Sequence, residues 1–262
     1  MIGIFDSGLG GLTVARAITD LNPLFDIIYF GDTARTPYGS KSQKTVIQYA
    51  IENTEFLLNK GASYIVVACN SASSAAIEIL RKKFSIPIFE VISPAVEMTL
   101  SDPDTKKVGV IGTRATINSK IYDAMIKAVR PDIKVYSNPC PLLVPLVEEG
   151  WLKRPETKMI VKKYLHPLKA FQIDTLILAC THYPIIKKLI SKKAGKRVRI
   201  IDSAQSVANQ LRQYFHLNKI SSPNSAINKQ GVCEFYVSDI TPHFEKIAKS
   251  IFNRHVKLQC SS

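Results

Sequence analysis

Short β-branched apolar runs alternate with longer amphipathic stretches along this chain, and that alternation narrows the possible folds most. IGIF (2–5), DIIYF (26–30), YIVVA (64–68) and PIFEVI (87–92) read as strands. Between them, Leu12–Leu21, Ser42–Lys60 and Ser73–Phe84 carry helical spacing. Along the second of these, Val46, Tyr49, Ala50, Asn53, Phe56 and Leu57 share one side. Strands separated by helices of this length pair in parallel through crossover helices. Runs that are apolar at every position suit strands covered on both faces.

The pattern then recurs. VGVIG (108–112) answers IGIF, KVYS (134–137) answers DIIYF, TLILA (175–179) answers YIVVA, and VRIID (198–202) answers FEVI. A helix is expected over Ser119–Val129. The offsets nearly agree: Cys69 and Cys180, which close the third strands, are 111 residues apart, and Tyr29 and Tyr136 are 107 apart. Four strands repeated in one order imply two pseudo-symmetric parallel-sheet α/β domains rather than one long sheet. CEFYVSD (233–239) and a helix from His243 add one more strand, expected to return to the first unit. The predicted division is therefore 1–92 plus 207–262 for the first domain and 93–206 for the second. KISSPNSAINKQG (219–231) reads as a flexible loop.

Composition excludes several classes. Hydrophobic residues at 46% and charged residues at 21% suit a chain of 262 residues that buries a core. The N-terminus lacks the basic region, long apolar core and small-residue cleavage site of a signal peptide, and no apolar run is long enough to span a bilayer. A cytoplasmic protein with no membrane partner is expected. Five scattered cysteines without a CxxC pair argue against a disulfide framework or a cysteine-rich metal site. The net charge of +14 leaves nucleic acid open as a partner. However, the basic run KKLISKKAGKRVR (187–199) has no interleaved aromatics and reads as the solvated end of a helix.

In open parallel sheets, ligands bind beyond the carboxyl ends of the strands, where loops converge with helix N-termini. The first strand is followed by Asp6, Ser7, Gly8, Leu9, Gly10 and Gly11, and the third by Cys69, Asn70, Ser71 and Ala72. In the second unit the first strand is followed by Thr113 and Thr116, and the third by Cys180, Thr181 and His182. The glycine-rich turn fails the dinucleotide fingerprint, because Thr13 stands where a third glycine is required and no P-loop lysine follows. Asp6 would also repel a phosphate, so no organic cofactor is expected.

A single strand-end cysteine is most often a small buried hydrophobe. Two at equivalent positions, each followed by hydroxyl or amide side chains, instead fit a pair of thiols facing one cleft. Helix N-termini downstream are expected to lower the thiol pKa and to leave N–H groups for a carboxylate. His182 has several readings. A zinc site with Cys180 lacks the usual ligand spacing, and a Cys–His hydrolase needs an orientation that a two-residue separation does not guarantee. An acid/base helper to Cys180 remains.

DSGLGG (6–11), GDTARTPYG (31–39), ACNSAS (68–73) and ACTHYP (179–184), in this order, resemble the signature of bacterial glutamate racemases, and PLLVPLVEEG (141–150) resembles their connecting segment. The resemblance spans the first strand to about Gln205. It implies two α/β domains holding glutamate between them, with Cys69 and Cys180 as catalytic thiols. Asp6 and His182 become their assistants and Glu148 a further active-site carboxylate. It further implies substrate contacts at Asp6, Ser7, Tyr38, Gly39, Asn70, Ser71, Thr181 and His182, to which the strand-end threonines Thr113 and Thr116 are added. The product is D-glutamate for peptidoglycan. A homodimer with no cofactor or metal is expected.

One position departs from the family pattern: Ser71 stands where threonine is common, keeping the hydroxyl and losing a methyl. Some members carry an N-terminal extension tied to activation by a cell-wall precursor, and with the first strand at residue 2 no such activation is expected. The nearest rival is aspartate racemase, whose members typically have glutamate where His182 stands. A one-thiol decarboxylase, a Cys–His hydrolase and a basic nucleic-acid-binding protein are more distant alternatives.

Overall fold

The computed structural model describes residues 1–222, 224, 229–240, 242–253 and 255–261. Two separate sheets form, and every strand pairing within them is parallel. The first contains β1 (Ile2–Asp6), β2 (Ile27–Gly31), β3 (Tyr64–Val67) and β4 (Ile88–Glu90), extended by β9 (Cys233–Val237) and β10 (Leu258–Cys260). Its order is β10-β9-β2-β1-β3-β4. The second contains β5 (Lys107–Gly112), β6 (Lys134–Pro139), β7 (Thr175–Ala179) and β8 (Arg199–Asp202), in the order β6-β5-β7-β8. The order β2-β1-β3-β4 is therefore repeated by β6-β5-β7-β8, strand for strand, as the recurring sequence pattern implied.

Crossover helices follow each strand and cover both faces. In the first unit these are α1 (Leu12–Leu21), α2 (Gln43–Asn59) and α3 (Asn70–Lys83). The second has α5 (Arg114–Asn118), α6 (Ile121–Val129), α7 (Leu143–Glu148), α8 (Pro155–Ala170) and α9 (Lys187–Ala194). Two more helices join the units: α4 (Ile92–Leu100) leads from β4 to the second sheet, and α10 (Ser203–Leu217) returns to pack on α1 and α4. α11 (Pro242–Phe252) lies between β9 and β10. β1, β2 and β7 are buried at every position, which explains why their sequences are apolar without alternation. Each sheet has a core on either face. Ile4, Tyr29 and Val66 meet α1 and α10 on one side of the first sheet, while Phe5, Ile28 and Val67 meet α2 and α3 on the other.

Several elements differ from the sequence expectation. α3 begins at Asn70 rather than Ser73, because Cys69 is extended and serves as the N-cap residue. That puts Asn70 and Ser71 in the first helical turn. The helix expected over 119–129 is α6, starting two residues later at Ile121; a short helix before it, α5, was not expected and is set off from α6 by Lys120 at φ 55°. A lysine in the left-handed region gives no sequence cue of the kind that glycine would. The strand expected through Ile92 stops at Glu90, whose carboxylate accepts from Ile92 N at 2.5 Å and Ser93 N at 2.7 Å and so starts α4. The C-terminal segment supplies two strands, β9 beside β2 and β10 beyond it, where one was expected. The position 206/207 lies inside α10. Part of the loop expected over 219–231 lies outside the described residues. Among the described residues no helix is long and apolar enough to cross a membrane.

Candidate active site

The carboxyl ends of β1, β3, β5 and β7 converge on one pocket. Asp6 ends β1 and is wholly buried. Its Oδ2 accepts from Gly8 N at 3.1 Å and Gly11 N at 2.9 Å, so this carboxylate organises the glycine-rich turn after the strand. Thr181 Oγ1 donates to Asp6 Oδ1 at 3.3 Å from the second unit. Burial pushes the Asp6 carboxyl above its ordinary pKa, and the His182 charge, the two N–H groups and Thr181 offset only part of this.

Cys69 follows β3 and is buried. The helix behind it was expected to lower its pKa, but the balance goes the other way. Burial pushes the thiol up to about 12 and the neighbouring Asp6 adds to the rise, against the smaller opposing pull of the Ala72 N–H and the Ser7 hydroxyl. Cys180 follows β7, and its Sγ lies 3.9 Å from His182 Nδ1. The other ring nitrogen of His182, Nε2, sits 3.0 Å from Glu148 Oε1 at the end of α7. Burial disfavours the imidazolium, yet Cys180 and Glu148 together outweigh it and hold the His182 pKa well above the usual range. The segment after Cys180 begins not with an α-helix but with a 3₁₀ turn, Tyr183–Ile186.

Both thiols line the pocket, with Ser7, Tyr38, Gly39, Asn70, Ser71, Thr113, Thr181 and His182. Ten of the thirteen residues singled out in the sequence therefore share one wall. The other three stand behind it. Asp6 lies beneath the first turn, and Glu148 reaches the pocket only through His182. Thr116 backs Thr113 at 3.2 Å and Ser71 at 3.4 Å. Pro37, Val144 and Ala179 complete the lining without having been anticipated. An apolar residue one turn before Glu148, such as Val144, carries no chemical signature in sequence.

The two units touch closely around the pocket. Ser71 Oγ and Thr113 Oγ1 are 2.9 Å apart, Tyr122 OH donates to Asn70 Oδ1 at 2.7 Å, and Thr13 Oγ1 donates to the Thr181 carbonyl at 3.0 Å. Gly10 faces Thr181 and His182, and a Cβ on Gly39 would lie 2.5 Å from Thr113 Cβ, so side chains at either glycine would hold the units apart. The enclosed space is about 20 Å³, room for about one water molecule. A larger guest needs the lining to move apart.

Polar groups are left to meet that guest. Asn70 lines the pocket, and its side-chain nitrogen is buried with no hydrogen-bond partner among the described residues. Tyr38 is anchored from behind: its hydroxyl donates to Asp32 and accepts from Asn53 Nδ2 at 3.0 Å. Asp32 also accepts from Arg35 Nε at 2.7 Å and Ser238 Oγ at 3.0 Å. Among the described residues no group of three or more His, Cys, Asp or Glu side chains is placed to hold a metal ion.

This fold of two matched parallel-sheet units is found in known proteins. The model of the Asp/Glu/hydantoin racemase family matches residues 13–211. A glutamate racemase of Persephonella marina is 44% identical over 258 residues, spanning 98% of this chain and 95% of its own. Among solved structures, a glutamate racemase isoform from Bacillus anthracis superposes with a TM-score of 0.94 at 35% identity, covering 100% of this chain and 97% of its own. The glutamate racemase of Francisella tularensis, solved in complex with D-glutamate, gives 0.91 at 37% identity with the same coverage. The chain belongs to the Asp/Glu/hydantoin racemase family. It is an amino-acid racemase, an isomerase that inverts one α-carbon.

Proposed function

We propose that this chain interconverts L- and D-glutamate by a two-base mechanism, with Cys69 and Cys180 as the opposed acid and base and without a metal or organic cofactor. One observation carries the reading. Two thiols, each closing the equivalent strand of a matched unit, line the same buried pocket. Inversion needs the α-proton removed from one face and a proton delivered to the other. A thiolate on one side becomes a thiol while the thiol opposite becomes a thiolate, so the enzyme ends one proton transfer ready for the reverse direction. The His182–Glu148 pair stands behind Cys180 and Asp6 beside Cys69, which supports reading them as acid/base assistants. The substrate carboxylates are held by Ser7, Asn70, Ser71, Thr113 and Thr181 with the loop at Tyr38 and Gly39, and Thr116 supports Ser71. Donors fixed in a closed, water-poor pocket stabilise the charge that develops as the α-proton leaves.

The substrate is supported by the relatives named above, all glutamate racemases, one of them in complex with D-glutamate. D-glutamate for peptidoglycan is the corresponding product. The division into 1–92 plus 207–262 and 93–206, a homodimeric state and a cytoplasmic location belong to the same proposal; light scattering on the purified chain tests the dimer.

The decisive experiment incubates purified, metal-free protein with L-glutamate or L-aspartate in D₂O, followed by chiral analysis and mass spectrometry. Deuterium at Cα of D-glutamate, with no ammonia or carbon dioxide released, is expected, and Cys69→Ser and Cys180→Ser each abolish turnover in both directions while still binding glutamate. Near-normal racemisation by either variant removes the two-base assignment, and preference for L-aspartate removes the substrate.

A further inference from the structure

Asn70 has an amide whose two ends are chemically opposite, and only one of them suits a carboxylate guest. Oδ1 would repel it, whereas Nδ2 would donate to it. Which end faces the pocket is set by what holds the other. Here Oδ1 accepts from the phenol of Tyr122 at 2.7 Å, and Nδ2 is left without a partner among the described residues. Both side chains are only 2% exposed, so no bulk water substitutes for either contact.

Tyr122 does not come from the same unit. It sits in the first turn of α6, while Asn70 opens α3 directly after Cys69. The phenol holds its proton firmly, because burial, then the charges of Glu90 and Cys180, raise its pKa well above the ordinary value. A hydroxyl that stays protonated and buried keeps its donor role, and an acceptor is what it needs from Asn70.

We propose that Tyr122 is a positioning residue for the racemisation. By donating across the cleft to Asn70 Oδ1, it turns the Asn70 amide N–H toward the substrate carboxylate. The inference rests on the assignment of Asn70 as a substrate contact. Because the two residues belong to different units, the amide is oriented when the units are together, which is also when the pocket is closed.

The test is a double-mutant cycle of Tyr122→Phe and Asn70→Ala, with kcat, KM and Tm measured for each variant. Tyr122→Phe keeps the ring and its packing while removing the donor. With Asn70 present it raises the KM for glutamate by about tenfold, the scale of one hydrogen bond to a charged group, with a smaller change in kcat. In the Asn70→Ala background it changes KM by less than about twofold. Equal losses in both backgrounds, or no loss with Asn70 present, overturn the proposal and leave Asn70 as a contact. A near-normal KM for Asn70→Ala alone instead overturns the assignment of Asn70 itself. If Tyr122→Phe does not fold, Tyr122→Met takes its place in the same cycle, since it also removes the donor while filling the site: a KM rise confined to the background with Asn70 supports the proposal, and equal or absent losses overturn it.

Discussion

Replacing Gly10 with alanine adds one methyl group where the two units meet. Its backbone is not in the left-handed region, so the cost is steric alone. The added Cβ would lie 2.5 Å from His182 Nδ1 and would also collide with Thr181 Oγ1. Ordinary contact starts at 3.4 Å, so about 0.9 Å must be found. Neither neighbour yields freely. His182 is held by Glu148 at 3.0 Å, and the Thr181 hydroxyl is bonded to Asp6 at 3.3 Å. The units must separate or His182 must leave Cys180. A displacement of about 1 Å at a catalytic group costs about 10²-fold in rate, or about 2.7 kcal/mol of barrier. Gly10→Ala is therefore expected to lower kcat/KM by about 10²-fold in both directions, followed by circular dichroism of the glutamate enantiomers. Its Tm should fall by a few degrees, since overpacking by one methyl costs about 1–3 kcal/mol, but the variant should still fold because neither sheet's core is touched. A folded variant racemising within about threefold of the parent refutes the claim that the approach of the units at Gly10 sets the catalytic geometry.

Two further outcomes follow from the titrating groups. His182 has a folded-state pKa raised above 6.5, so the stability it contributes is fully present below about pH 6.5 and is lost as pH rises through the raised value. Glu148→Gln removes one partner of the imidazolium and should cost about 1–2 kcal/mol, with the Tm gap to the parent widest below about pH 6.5 and closing under alkaline conditions; a gap that widens with pH contradicts the pairing. Burial of Cys69 predicts slow alkylation: three units above the ordinary 9.0 depletes thiolate about 10³-fold, and the higher intrinsic nucleophilicity recovers about 20–30-fold. Peptide mapping after iodoacetamide should therefore find Cys69 labelled about 30–50-fold more slowly than an added unstructured cysteine peptide, and equal rates would overturn the balance of burial over helix dipole at this thiol.

Much of the molecule was legible in the chain because its physics is local or periodic. Apolar runs buried on both faces announced β1, β2 and β7, and their recurrence in the second half announced two sheets of one strand order. Strand ends are where such sheets bind ligands, which singled out Cys69, Cys180 and the polar residues after them. Elements without a local signature stayed hidden. Lys120 splits α5 from α6 in a conformation that lysine does not advertise, and β10 has only three residues, taking its place from pairing with β9.

What no reading along the chain could supply is what happens between the units. That Tyr122 meets Asn70, 52 residues earlier, or that Thr181 reaches Asp6 across 175, depends on how two separately built sheets come to rest against each other. The same holds for the Cys69 pKa. The helix start behind the thiol is a sequence feature and lowers it, but burial and the Asp6 charge are tertiary and prevail. Residue order determined which chemical groups stand at the strand ends. Only the packing of one unit on the other decided which way they face, what they touch and how readily they give up a proton, because desolvation and charge pairing depend on distance in space rather than along the chain.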